Sequence, residues 1–401
     1  MKIGKDIATE KDFDISTETI GRHFYIVGTS GGGKSTLLEH IALSLIEEGH
    51  GVCFLDPHGQ SVEFIADRVP HGRLSQVTYW EPWAVPIGYN PLTVKDSSSD
   101  LEKSLTVERV LAATAHVFNV GDRNTRNFYE EIETKILRNT LYLLLDNSRT
   151  LLDIQACLLD ASLRQRLLVN CHNPSVRGFW EQEYAGWNYR QRVEYTASLL
   201  NKTNAYLSNP VLAEVLAKNT LDLRGVMDSG EVLLVNLSKG QMGADPSALL
   251  GSLLTAGLSG AALSRANVPE SERRQFFLII DEFPPFANRS FREILSEARK
   301  YKLSLILAHQ YLRQIPDYLV DAIFGNTSTT IVFRSGVDAD RLADLLELDN
   351  PRRIRGLPSY QALVRTLENL SPANTRQIGT YLPRKSGKRL EAVRRRTKGR
   401  Y

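Results

Sequence analysis

Cysteine is scarce: Cys53, Cys157 and Cys171 are the three among 401 residues, and none stands near another in sequence. That spacing provides no disulfide framework and no thiolate metal site, and it fits a reducing compartment. A signal peptide is missing as well, because residues 1–10 are charged and lack an apolar run. Long hydrophobic runs are nearly absent. One uncharged stretch, Pro246 to Ser264, approaches the length of a bilayer span. Gly251, Ser252, Thr255, Gly257, Ser259 and Gly260 keep its hydropathy low, so a helix buried against a sheet is expected and a membrane span is not. No internal repeat or low-complexity segment occurs before the basic C-terminal end.

What is present is ordinary for a globular protein, 42% apolar and 24% charged, in a chain long enough for two structural units. The net charge is +3, but from Arg384 onward nine Lys/Arg face a single acid, Glu391, so the body is weakly acidic. Such an end suits nucleic-acid contact or a solvated tail equally. Short apolar runs alternate with helical patterns, the mark of an α/β unit with a mainly parallel sheet. Strands are expected at 23–28, 51–56, 77–80, 231–237, 275–281, 303–309 and 330–333, and a helix at 34–48. Between about 101 and 218 helical periodicity dominates, as at 127–145, where Phe128, Ile132, Ile136, Leu137 and Leu141 share a face. The division expected is a nucleotide-binding domain of residues 1–98 and 225–383, an all-α insertion of 99–224, and a disordered basic tail of 384–401.

GTSGGGKST matches the phosphate-binding pattern G-x-x-x-x-G-K-[ST] through Gly28, Gly33, Lys34 and Ser35, with Thr29, Ser30, Gly31, Gly32 and Thr36 completing the stretch. Glycines let successive N–H groups turn toward phosphate oxygens, and the following helix adds its positive end. Lys34 is expected on the β- and γ-phosphates of ATP, and the Ser35 hydroxyl on Mg²⁺. The run QFFLIIDEF places Asp281 at a strand tip to hold the Mg²⁺ shell and Glu282 to take a proton from the attacking water. Gln310, ending the run LSLILAHQ, is a candidate γ-phosphate sensor, whereas His309 is read as structural because no second metal-type ligand accompanies it. Asp56 ends the second strand, either as a turn residue or approaching the nucleotide or the pore.

After the phosphate loop come LDPHG (55–59), IGYNPL (87–92), IIDEF (279–283), EILSEARKY (293–301) and LAHQYL (307–312). In this order they resemble the HerA/FtsK superfamily, and more narrowly the TraG/TraD-type coupling ATPases of type IV secretion and conjugation. The resemblance implies a RecA-like core, a homo-oligomer of hexameric form with ATP at subunit interfaces, and single- or double-stranded DNA through the centre. It assigns Lys34 and Ser35 to Walker A, Asp281 and Glu282 to Walker B, Gln310 to a glutamine sensor, and Arg299 to an arginine finger for a neighbour's nucleotide. Arg334 is a second finger candidate, and Arg289 and Arg292 are pore candidates. The Pro284–Pro285 pair stiffens a loop that could face the pore.

The phosphate loop begins at Gly28, which leaves no room for the family's membrane anchor or barrel domain, so a cytoplasmic protein reaching the inner membrane through partners is expected. Those partners are a relaxase or secretion-channel proteins, or a nuclease. The alternatives are a HerA-like cytosolic translocase or helicase of repair or defence, a nucleotide-dependent assembly switch, and a protein-secretion ATPase.

Overall fold

The apolar runs bounded by Gly, Asp and Asn become strands. A computed structural model describes residues 1–85, 87–117, 128–287, 290–366, 375–382 and 387–401. Its strands are β1 (Lys2–Asp6), β2 (Asp12–Asp14), β3 (His23–Val27), β4 (Gly51–Asp56), β5 (Val77–Trp80), β6 (Val232–Asn236), β7 (Phe276–Ile280), β8 (Leu303–His309), β9 (Thr327–Val332), β10 (Gln361–Thr366) and β11 (Arg376–Thr380). They form one sheet in the order β2-β1-β11-β10-β9-β3-β8-β7-β4-β6-β5. From β9 to β5 all pairings are parallel, and beyond β9 they are antiparallel.

Both faces of the parallel part are covered, which is why its strands read as continuous apolar runs. Side chains alternate between the faces. Phe24, Ile26, Val52, Phe54, Phe277 and Ile279 pack with the helix Lys34–Glu47, while Tyr25, Val27, Cys53, Leu55, Leu278 and Ile280 face the other way. That second face shares one core with the helices of residues 100–216. The helical segment therefore does not carry a separate core.

Among the described residues 99–224 hold helices and no strand. Asn188 caps its helix reciprocally with Gln191, and Asn209 caps another that opens on Pro210. The two ends of the segment are tied together: Gly88 O accepts from Thr220 and Leu221 N–H at 2.9 and 3.0 Å, and Tyr89 N–H donates to Val215 O at 2.8 Å. The helix Ala244–Leu263 is packed where the sequence placed it. It belongs to the one stretch among the described residues long and apolar enough to cross a membrane, but 72% of that window is buried inside the molecule.

Two expectations need correction. The antiparallel strands β1, β2, β10 and β11 are additional to those read from the sequence. The basic end is not disordered throughout, since Leu390–Arg400 form a helix against the edge strand β5. Val393 and Thr397 are buried there, and Arg394 pairs with Glu81 at 2.8 Å.

Candidate nucleotide-binding site

All the parallel strands end on one side of the sheet, so the residues that follow them are brought together there. β3 leads into the glycine loop and then the helix Lys34–Glu47. Gly28 and Gly33 have φ of 154° and 112°. A Cβ on Gly28 would lie 2.6 Å from Phe333 Cβ, and one on Gly33 3.0 Å from the Tyr360 ring. Only glycine takes this backbone path at this separation. The loop is fastened from behind: Thr29 N–H and Oγ1 donate to Arg334 O at 2.8 and 3.0 Å, and Tyr360 N–H donates to Gly32 O at 2.8 Å. Because the first helical bond runs from Leu37 N–H to Gly33 O, the N–H groups of Lys34, Ser35 and Thr36 precede the helical ladder.

Lys34 is buried, and its Nζ donates to Thr29 O at 3.2 Å. Burial lowers its pKa, opposed by the charges of Glu282 and Asp281. Ser35 Oγ donates to Asp281 Oδ2 at 2.8 Å, so the two expected Mg²⁺ ligands already touch. Burial pushes Asp281 up to about 6 against the Ser35 hydrogen bond, with Asp56 and Glu282 adding to the rise. Glu282 has a positive φ of 50°, and its N–H donates to Asp281 Oδ1 at 3.1 Å. A non-glycine residue in this region stores strain, and such strain concentrates at functional sites. Gln310 Nε2 donates to Glu282 Oε1 at 2.9 Å, which brings the sensor candidate and the base candidate together.

These residues fit a magnesium nucleotide. A turn of free N–H groups, a buried ammonium and a hydroxyl–carboxylate pair match a phosphate chain and a hard cation. Mg²⁺ at Ser35 and Asp281 would neutralise charge on the phosphates.

Other candidates fall elsewhere. Asp56 is a turn residue: Oδ2 accepts from Ser61 and Val62 N–H at 2.8 and 3.2 Å, and Oδ1 from His58 N–H at 2.8 Å. His309 is buried and held near a pKa of about 3 by burial, in keeping with a structural role. Arg334 is exposed beside the loop that its carbonyl fastens. Arg299 does not reach the site of its own subunit. It lies in the turn Ala298–Tyr301 before β8, at the opposite end of the parallel strands, where its charge acts on His23 at the start of β3. The five residues of β3 separate it from the glycine loop by about 17 Å. Arg292 is exposed on the helix Ser290–Glu297, and Arg289 lies outside the described residues. The Pro284–Pro285 pair forms a short turn whose Phe286 is buried against Gly251.

Sequence reasoning missed Glu39, which lies one helical turn after Ser35 and accepts from Ser61 Oγ at 2.9 Å. Burial raises its carboxyl to about 7, with Asp281 and Asp56 adding to the rise. An acid at i+4 from Ser35, inside an otherwise apolar helix face, was the available signal. Phe333 and Tyr360, which back the loop, carried none.

Residues 1–141 match the family described as helicase HerA, central domain, and residues 275–346 match the TraM recognition site of TraD and TraG. A search of curated proteins finds no match. Among solved structures, the unbound bacterial conjugative coupling protein TrwBΔN70 is 16% identical at a TM-score of 0.68, over 97% of this chain and 90% of that one. TrwB with the ATP analogue ADPNP is 16% identical at 0.66, over 97% and 91%. VirB4 of Thermoanaerobacter pseudethanolicus is 12% identical at 0.66, over 95% and 96%. The Walker-type loop thus lies inside the match to the HerA central domain and the paired strand-tip acids inside the match to TraD and TraG, on a fold shared with TrwB and VirB4.

Proposed function

We propose that the chain is an ATP-driven DNA-translocating motor of the coupling-protein type, working as a ring with nucleotide at subunit interfaces. The observation that carries the reading is the convergence of two contacts beside Lys34: Ser35 with Asp281, and Gln310 with Glu282. The first prepares a cation site for the triphosphate. The second couples a carboxylate suited to take a proton from the attacking water to an amide that can address the γ-phosphate.

A pure assembly switch needs no such carboxylate, so hydrolysis is the better reading. DNA as the cargo rests on the family and on the coupling-protein relatives. Pore contacts of that kind are made to the phosphate backbone and weaken as salt rises. In residues 275–346, which match the recognition site described for TraD and TraG, a relaxosome protein of the TraM type is the partner we infer. We infer a cytoplasmic motor that reaches the inner membrane through such partners.

The test measures ATP hydrolysis with single-stranded DNA, double-stranded DNA or neither, beside Lys34→Ala and Glu282→Gln. DNA should stimulate the wild type. Glu282→Gln should retain nucleotide while losing roughly 10²- to 10⁴-fold in turnover. Turnover indifferent to either DNA would refute the motor, and full turnover in Glu282→Gln would refute the assignment of the base.

A further inference from the structure

Immediately beyond β8 one side-chain oxygen collects three contacts. Gln314 Oε1 accepts the main-chain N–H of Gln310 at 3.0 Å and of Tyr311 at 3.1 Å, and lies 3.2 Å from His309 Nδ1. Main-chain N–H groups can only donate, so the atom facing them must be the amide oxygen. His309 Nδ1 must then carry the proton and donate. Its Nε2 is left with a lone pair, which receives the Tyr25 hydroxyl at 2.5 Å. Tyr25 is in β3, two residues before the strand opens into the glycine loop. A carboxylate can only accept, so the Gln310 amide nitrogen faces Glu282. Donor and acceptor roles are therefore fixed along the whole path from Tyr25 through His309, Gln314 and Gln310 to Glu282.

His309 is fully buried, its ring lies edge-on to Phe283 at 4.9 Å, and burial keeps it neutral. The short turn Leu312–Gln314 is itself pinned by Leu312 N–H donating to Asp338 Oδ2 at 2.7 Å. Gln310 follows the last residue of β8 and has no sheet partner to orient it. Its direction depends on what holds its N–H, and that is Gln314.

We propose that Gln314 is a positioning residue for hydrolysis, holding the backbone of Gln310 so that its amide meets Glu282 and the γ-phosphate. The inference rests on the ATPase reading. Gln314 touches neither nucleotide nor water in this role and acts through Gln310.

The experiment compares full-length wild type, Gln314→Met and Gln314→Glu, each also combined with Gln310→Ala. It reads kcat, affinity for a non-hydrolysable ATP analogue and thermal stability. Methionine keeps the length of the side chain and loses the acceptor, whereas glutamate keeps the acceptor. Gln314→Met should lose about tenfold or more in kcat, as misplaced catalytic groups do, with analogue affinity held within about twofold. Gln314→Glu should restore most of the loss. In the Gln310→Ala background Gln314→Met should add nothing, because residues acting as a unit are not additive. Wild-type kcat in Gln314→Met, or the same loss with and without Gln310, overturns the inference. Unfolding of both single variants overturns it in favour of a purely structural role. A wild type that hydrolyses no ATP overturns the ATPase reading, and this inference with it.

Discussion

Four carboxyls, Glu39, Asp56, Asp281 and Glu282, lie near enough to act on one another, and the fold manages them differently. Asp56 accepts three main-chain N–H groups, and Glu282 accepts the Gln310 amide. Glu39 has a single hydroxyl, and burial raises it to about 7. A carboxyl raised on folding binds more protons in the folded state between about pH 4.5 and 7. Its contribution to stability is thus full below that window and lost as pH rises through it. Glu39→Gln should therefore stabilise the nucleotide-free protein at pH 8 relative to its effect at pH 5. Allowing for partial exposure, the difference should be roughly 1–3 kcal/mol. Urea unfolding at both values measures it, and a pH-independent difference would show that Glu39 is not strained. The site was legible where spacing along the chain encodes it: Lys34, Ser35, Asp281, Glu282 and Gln310 each sit at a strand tip or helix start. Glu39, Tyr360 and Gln314 were not. Glu39 and Tyr360 act through contacts across the fold, with Ser61 and Gly32, and Gln314 through a local turn to the Gln310 N–H that no periodic pattern marks.

At the scale of elements the same division holds. The parallel strands are covered on both faces, so their sequences are apolar throughout and easily read. The antiparallel strands β1, β2 and β11 are not. KIGKD and DFD mix charge with few apolar residues, and RQIGT buries only alternate positions. The C-terminal helix was obscured by its own charge. Its docking uses polar bonds that a hydrophobic pattern cannot reveal: Thr397 Oγ1 accepts the Tyr79 N–H of β5 at 3.0 Å, and Arg400 pairs with Glu231 at 2.8 Å. An edge strand left open invites pairing with other chains, and here a helix covers it. Replacing Thr397 by valine keeps the shape and leaves the buried Tyr79 N–H unpaired, at a cost of about 1–3 kcal/mol. Removing residues 387–401 should go further and expose β5 to self-association. Unfolding curves for Thr397→Val and light scattering of the truncated chain test this. An unchanged midpoint would mean that the bond contributes nothing.

At the scale of the whole molecule, one predicted catalytic residue stands apart from the rest. Arg299 is exposed at the end of the strands opposite the glycine loop, about 17 Å away along β3, too far for its side chain to reach the nucleotide of its own subunit. A guanidinium that stabilises the transferring phosphoryl group from there must act on another subunit's ATP. On that reading the proposed ring is a condition of chemistry as well as of DNA passage. Lys34→Ala and Arg299→Ala should then be complementary defects. The first lacks a working nucleotide site but still offers a finger. The second binds nucleotide and denies a finger to its neighbour. Alone, Arg299→Ala should lose roughly 10³-fold or more in turnover while retaining affinity for an ATP analogue. Mixed with Lys34→Ala subunits it should regain activity, because some interfaces then combine an intact loop with an intact finger. Titrated into the wild type it should depress activity more than its fraction predicts if turnover is coordinated around the ring. Mixtures of the two inactive variants that stay inactive, under conditions where both enter rings, would place Arg299 outside catalysis. Activity would then depend on residues already gathered within one subunit.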